Sequence, residues 1–134
     1  MAIQTTRTTA RYKDFYDNLD AHPVRGDLFV LEDAEAVKTS IRNLIFTNRG
    51  ERFFQPYLGS DIRRALFENV SPETTFMIQT YIESTIQNFE PRANLLATYV
   101  NPTPDENAYN IQIVFSLINN PAPITFNLLL TRVR

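Results

Sequence analysis

At Pro91 the chain changes its hydrophobic period. Upstream, Ile78, Tyr81, Ile82, Thr85, Ile86 and Phe89 recur every three or four residues, the spacing of one helix face. Downstream, Leu95, Ala97 and Tyr99 alternate with Leu96, Thr98 and Val100, the spacing of a strand. Proline lacks an N–H and drives the residue before it out of helical geometry, so the helix ends at Glu90. Helices first and strands afterwards define an α+β chain. It has an N-terminal arm, then about three helices packed on a C-terminal antiparallel sheet of three or more strands.

The helical half carries its own punctuation. Asp33 is an expected N-cap, and Val37, Ile41, Leu44 and Ile45 behind it line one face of a helix that ends near Phe46 or Thr47. Asn48-Arg49-Gly50 supplies a stop, because Asn and Gly tolerate left-handed geometry. The segment GERFFQPYLG reads as an aromatic-rich loop. Ser60 is expected to cap a second helix, with Asp61 at its positive end and Ile62, Leu66 and Val70 as its buried stripe. Ser71-Pro72-Glu73 starts the third, with serine as cap, proline at the first position and an acid in the first turn.

In the strand half, NPTPDEN reads as a loop after the first strand. Tyr109, Ile111, Ile113, Phe115 and Leu117 alternate along a second strand. Asn119-Asn120-Pro121 is an expected turn, and Ile124, Phe126, Leu128 and Leu130 form a third strand. From Ala108 to Thr131 there is no charged residue. Soluble proteins blunt bare sheet edges with lysine, glutamate or bulges, so an uncharged hairpin calls either for cover from helices or for another subunit's strand.

A chain of 134 residues holds one core, so residues 31–134 form a single domain and residues 1–30 an extended arm. Tyr12, Phe15, Tyr16 and Leu19 are the arm's apolar anchors. With no cysteine and the single histidine His22, disulfides, thiolate metal sites and histidine-rich metal clusters are excluded. His22 reads as a solvated loop residue. The net charge of -2 favours neither nucleic acid nor an acidic membrane as partner. No segment reaches the roughly 18 apolar residues of a membrane span, and the N-terminus lacks a signal-peptide core.

Catalytic chemistry finds little support. Glu51, Glu68 and Glu90 are carboxylates, but their spacing specifies no cleft for glycoside cleavage. Ser60 in LGSDI does not fit a Gly-x-Ser-x-Gly elbow. Lys38, Arg42, Arg49, Arg52, Arg63 and Arg64 make a locally basic stretch near Phe53, Phe54 and Tyr57. That pattern suits an arginine-rich protein interface, a solvated helix face or, less well, nucleic acid. The charges flanking Pro91 need partners if buried: Arg92 with Glu51 or Glu68, and Glu90 with Arg52.

Residues 35–71, EAVKTSIRNLIFTNRGERFFQPYLGSDIRRALFENVS, resemble the core of the baseplate wedge, or sheath-initiator, family of contractile phage tails. That family has relatives in type VI secretion and related injection systems. The matching elements are Ala36-Val37, Ser40-Ile41, Thr47, Gly50-Glu51-Arg52, Pro56, Gly59 and Leu66-Phe67-Glu68. Glu90-Pro91-Arg92 matches the family's Glu-Pro-Arg signature, and Gly26-Asp27-Leu28 fits the upstream part. Order and spacing together carry the resemblance, which spans nearly the full chain and is loose over residues 1–20.

The resemblance implies a structural protein with no catalytic residue, metal or cofactor. It implies docking on the wedge bundle around the tail tube, in sixfold copies, in the virion's tail baseplate after synthesis in the host cytoplasm. Glu90, Pro91, Arg92, Glu51 and Arg52 are then candidates for an internal structural clamp, for a contact with the wedge bundle, or for both. The strand of Ile124, Phe126, Leu128 and Leu130 would pair with the first ring of sheath subunits and so initiate sheath assembly. A lysozyme-like label has been attached to this family, so a peptidoglycan hydrolase is the alternative, followed by a nucleic-acid-binding module.

Overall fold

The computed structural model of the chain describes residues 12–15, 24 and 30–132, with backbone alone for 13, 15 and 30–32. Gly26-Asp27-Leu28, the arm residues Tyr16 and Leu19, and His22 lie outside the described residues. Strand β1 (Lys13–Phe15) pairs antiparallel with β2 (Val30–Glu32). Helices α1 (Ala34–Phe46), α2 (Ile62–Ala65) and α3 (Pro72–Phe89) follow. Then β3 (Ala93–Thr103), β4 (Ala108–Leu117) and β5 (Asn120–Thr131) form an antiparallel sheet in that order.

The expected α+β arrangement is what the chain adopts. Val37, Ile41 and Ile45 of α1 and Ile78, Ile82 and Ile86 of α3 bury against Ile111, Ile113 and Phe115 of β4 and Leu128 and Leu130 of β5. Burying each such side chain is worth roughly 2 kcal/mol. Phe115 meets Phe126 edge to face, with ring centroids 6.4 Å apart. The central strand β4 supplies most of the sheet's contribution, because both of its neighbours shield it.

Helix α3 starts and stops where local chemistry dictates. The Ser71 hydroxyl accepts the Thr74 N–H at 3.1 Å, and Pro72 occupies the first turn. Glu73 is held below its ordinary carboxylate pKa by a backbone hydrogen bond and by Ser71. Glu90 closes the helix, its N–H donating to Ile86 O at 3.0 Å.

Two expected caps act differently. Asp33 precedes α1, but its carboxylate caps no helical N–H. It accepts the Tyr12 N–H at 3.0 Å, while the Asp33 N–H donates to Tyr12 O at 2.7 Å. This reciprocal pair continues the β1–β2 ladder and fastens residue 12 beside α1. Ser60 does not cap α2, which is one turn long rather than a helix running to Val70. The buried Ser60 hydroxyl instead donates to Ile45 O at 2.7 Å, and its N–H donates to Thr47 O at 2.9 Å. Both bonds satisfy carbonyls that the end of α1 leaves without helical partners.

Gly59 permits that contact. It sits at φ +127°, and a Cβ there would lie 2.5 Å from Thr47 O. Gly59→Ala is therefore expected to cost about 2 kcal/mol through backbone strain and the clash. Gly50→Ala, at φ +87° in open space, is expected to cost about 1 kcal/mol, from positive φ alone. Thermal melts of the two variants check the ranking.

The sheet departs from the pattern expected from sequence in three places. Leu96 is an extra residue in β3, a bulge between the pairs Leu95↔Phe115 and Ala97↔Val114. It shifts the phase: Leu95 packs on the core, Leu96 and Tyr99 face solvent, and Thr98 and Val100 turn inward. β3 also continues through Asn101–Thr103, residues read from sequence as loop, before a 3-10 turn at Pro104–Glu106. The second turn is Ile118-Asn119, so Pro121 and Pro123 lie within β5, opposite an irregularity in the ladder between Phe115 and Leu117.

Candidate functional site

Glu90, Pro91 and Arg92 form a closed clamp where α3 turns into β3. The Glu90 side chain is 2% exposed and the Arg92 side chain 28%. Arg92 Nε donates to Glu90 Oε1 at 2.6 Å and Nη2 donates to Oε2 at 3.0 Å, a two-pronged ion pair. Ser40 of α1 donates its hydroxyl to Glu90 Oε2. The guanidinium lies over the Tyr12 ring, 5.6 Å from its centroid. The clamp thus ties α1, α3, the start of β3 and the N-terminal segment together.

Burial pushes the Glu90 carboxyl up, but hydrogen bonds from Arg92 and Ser40 and the arginine charge outweigh it and hold the pKa below the ordinary carboxylate value. The hydrogen bond to Glu90 raises Arg92 against the opposing effect of burial, and the Glu90 and Asp14 charges help. The partners expected from sequence were wrong. Arg92 pairs with neither Glu51 nor Glu68, and Glu90 does not pair with Arg52. Pro91 turns the chain so sharply that the two flanking side chains reach each other, which a search for distant partners overlooks. Ser40 carried no sequence signal for this role beyond its place in the family resemblance.

Glu51 and Arg52 lie apart from the clamp, exposed on the loop after α1. Glu51 Oε2 accepts the Asn48 N–H at 2.8 Å. Arg52 shares a surface hollow with Asp14, Ser40 and Phe89 and so approaches the clamp's flank. Pro91 is exposed, and beside it a cleft runs past Gln87, Asn94, Ser116 and Ile118.

The second candidate region is the outer edge of β5. Arg132 N–H donates to Asn107 O at 2.7 Å, so those two residues face each other across the ladder. The register then runs unbroken from Ala108↔Thr131 to Phe115↔Ile124. Backbone direction alternates along a strand. Ile124, Phe126, Leu128 and Leu130 therefore direct their N–H and C=O groups at β4, and their side chains toward the core. Thr125, Asn127, Leu129 and Thr131 direct theirs outward. The residues singled out from sequence identify the strand, but these others hold the hydrogen-bonding groups that no strand takes up among the described residues.

The opposite edge, β3, is less able to accept a strand. Tyr109 commits its backbone groups to Leu130, so its β3 partner Pro102 turns its nitrogen outward, where proline is tolerated. That proline and the Leu96 bulge interrupt the β3 edge. From Ile124 to Thr131, β5 has no proline, bulge or charge.

The basic stretch is divided among separate roles. Lys38 pairs with Glu35 at 2.9 Å, and Arg49 with Asp61 at 3.4 Å. The Arg42 guanidinium stacks 5.9 Å from the Phe46 ring centroid. Arg52, Arg63 and Arg64 are exposed.

Similarity to known proteins follows the same outline. The family described as Baseplate wedge protein gp25 matches residues 31–122, a shorter span than the near-complete one expected, ending just inside β5. Baseplate wedge protein gp25 of Enterobacteria phage T4 is 39% identical over 89 residues, 66% of this chain and 67% of that one. A Geobacter sulfurreducens crystal structure called a tail lysozyme is 25% identical, with a TM-score of 0.72 over 79% of this chain and 97% of that one. A chain of the anti-feeding prophage baseplate, 23% identical, shares the fold with a TM-score of 0.64 over 92% of this chain and 87% of that one. The helices, the Glu90-Pro91-Arg92 clamp and the strands β3 and β4 all lie within the matched span, and the chain belongs to the baseplate wedge protein family of contractile tails.

Proposed function

We propose that this wedge protein docks on the wedge bundle around the tail tube and initiates sheath assembly by lending the β5 edge to a strand of the first sheath ring. The observation that carries the reading is the state of that edge. It is uncharged and unbroken from Ile124 to Thr131, while the β3 edge is blunted. Strand addition draws affinity from main-chain hydrogen bonds, and Thr125, Asn127, Leu129 and Thr131 hold those groups.

Docking on the wedge proteins falls to the other end of the sheet. Pro91 and the partly exposed Arg92 make the contact, Glu90 holds Arg92 in place, and Glu51 and Arg52 extend the surface along the neighbouring loop. Residues 31–134 work as one domain, with residues 12–15 fastened to it, in six copies per baseplate. The role is structural rather than hydrolytic. A glycosidase needs two carboxylates flanking one cleft, and Glu90 is buried and held by Arg92.

The test is recovery of the tagged protein from cells producing the whole particle. Wedge and sheath subunits recovered in fixed proportion would support the reading. Recovery alone, or with cell-wall fragments or nucleic acid, would contradict it.

A further inference from the structure

We infer that the loop tip carrying Phe53, Phe54 and Tyr57, together with Arg63 and Arg64, is a second docking surface, separate from Glu51 and Arg52 and made for a protein segment that is apolar at its centre and acidic at its rim. The inference goes beyond strand pairing at β5 and does not depend on it. Phe53 is 99% exposed and Phe54 100%, and Tyr57 follows at 79%. Adjacent aromatic side chains fully in water are unfavourable for a free monomer and characteristic of interface anchors.

The loop is built to hold them there. Gly50 N–H donates to Pro56 O at 2.8 Å, Glu51 N–H to Asn48 O at 3.1 Å and Leu58 N–H to Gln55 O at 3.1 Å. At its base Gly59 and Ser60 lock the chain to the end of α1. A loop closed by its own backbone loses little freedom when its tip is captured.

Charge identifies the occupant. A groove at the loop's base is lined by Arg49, Arg63, Arg64, Phe67 and Asp61. Asp61 answers Arg49, while Arg63 and Arg64 have no carboxylate partner among the described residues. On a chain of net charge -2 this is a local concentration of positive charge at the base of the loop that carries the aromatics. Carboxylates complement such arginines in two-pronged pairs. Aromatics flanked by arginines are also the composition of protein interface cores.

A photo-crosslinker, p-benzoylphenylalanine, placed at position 54 in complete baseplates without sheath tests this. The same probe at position 76, exposed on α3, sets the background. The expected result is a crosslink to another tail protein, at an apolar stretch flanked by Asp or Glu. The yield should fall about tenfold with Arg63→Glu and Arg64→Glu together, at an unchanged melting temperature. A crosslink to nucleic acid, to a second copy of this chain or to a segment without acids would overturn the inference, as would a yield no higher than at position 76. Sheath is absent from these particles, so the result is independent of events at β5.

Discussion

Asn127→Pro gives a folded protein that enters the baseplate and a tail without extended sheath. Asn127 is exposed, and its N–H points away from β4, so proline there removes no bond of the existing sheet. What it removes is one donor from the middle of the free edge, and its ring obstructs an incoming strand. The adjacent Leu128→Pro is the instructive contrast. Leu128 directs its N–H at β4 and buries its side chain, so proline there breaks the ladder and the core together, at roughly 4 kcal/mol. Circular dichroism separates the two variants, and electron microscopy of the tails reads the outcome. Normal sheathed tails carrying Asn127→Pro would remove strand addition at β5.

The second large effect is at the clamp. Glu90→Ala leaves the Arg92 guanidinium partly buried without its carboxylate, and the Ser40 hydroxyl without its acceptor. The expected loss is roughly 3 kcal/mol, below the full value for a buried pair because water reaches Arg92. Glu90→Gln keeps an acceptor for Arg92 and should lose about half as much. The folded-state pKa of Glu90 is lowered from the ordinary carboxylate value, so its contribution is complete above that ordinary value and fades as pH falls through the lowered one. Denaturant melts at neutral pH and at falling acid pH should therefore show the gap between the native chain and Glu90→Gln closing in acid. A gap that stays constant would mean that the ion pair does not stabilise the fold.

The boundaries that local chemistry sets were legible in the sequence. Ser71-Pro72 and Pro91 fix both ends of α3 within a few bonds of themselves, and the period change at Pro91 announces the sheet. What escaped depends on atoms distant in the chain or on a single inserted residue. Ser60 looks like a helix cap, but its hydroxyl lies against the carbonyl of Ile45, fifteen residues earlier. Asp33 also looks like a cap, yet Tyr12 claims its carboxylate. The Leu96 bulge reverses the faces of β3, and no alternation pattern marks it because both Leu95 and Leu96 are apolar.

The clamp was half legible. The opposite charges around Pro91 were conspicuous, but assigning them distant partners neglected how tightly proline folds the chain. The edge was legible as a strand, whereas its outward groups required the register. Alternation alone favoured Ile124, Phe126, Leu128 and Leu130, and the ladder assigns the open positions to the residues between them.

The most direct measurement is an electron cryomicroscopy reconstruction of the junction between baseplate and sheath, at a resolution that traces strands. The account predicts a strand from the first sheath ring hydrogen-bonded to Thr125, Asn127 and Leu129 along the β5 edge. A sheath subunit seated elsewhere on this protein, with that edge open to solvent, would contradict it.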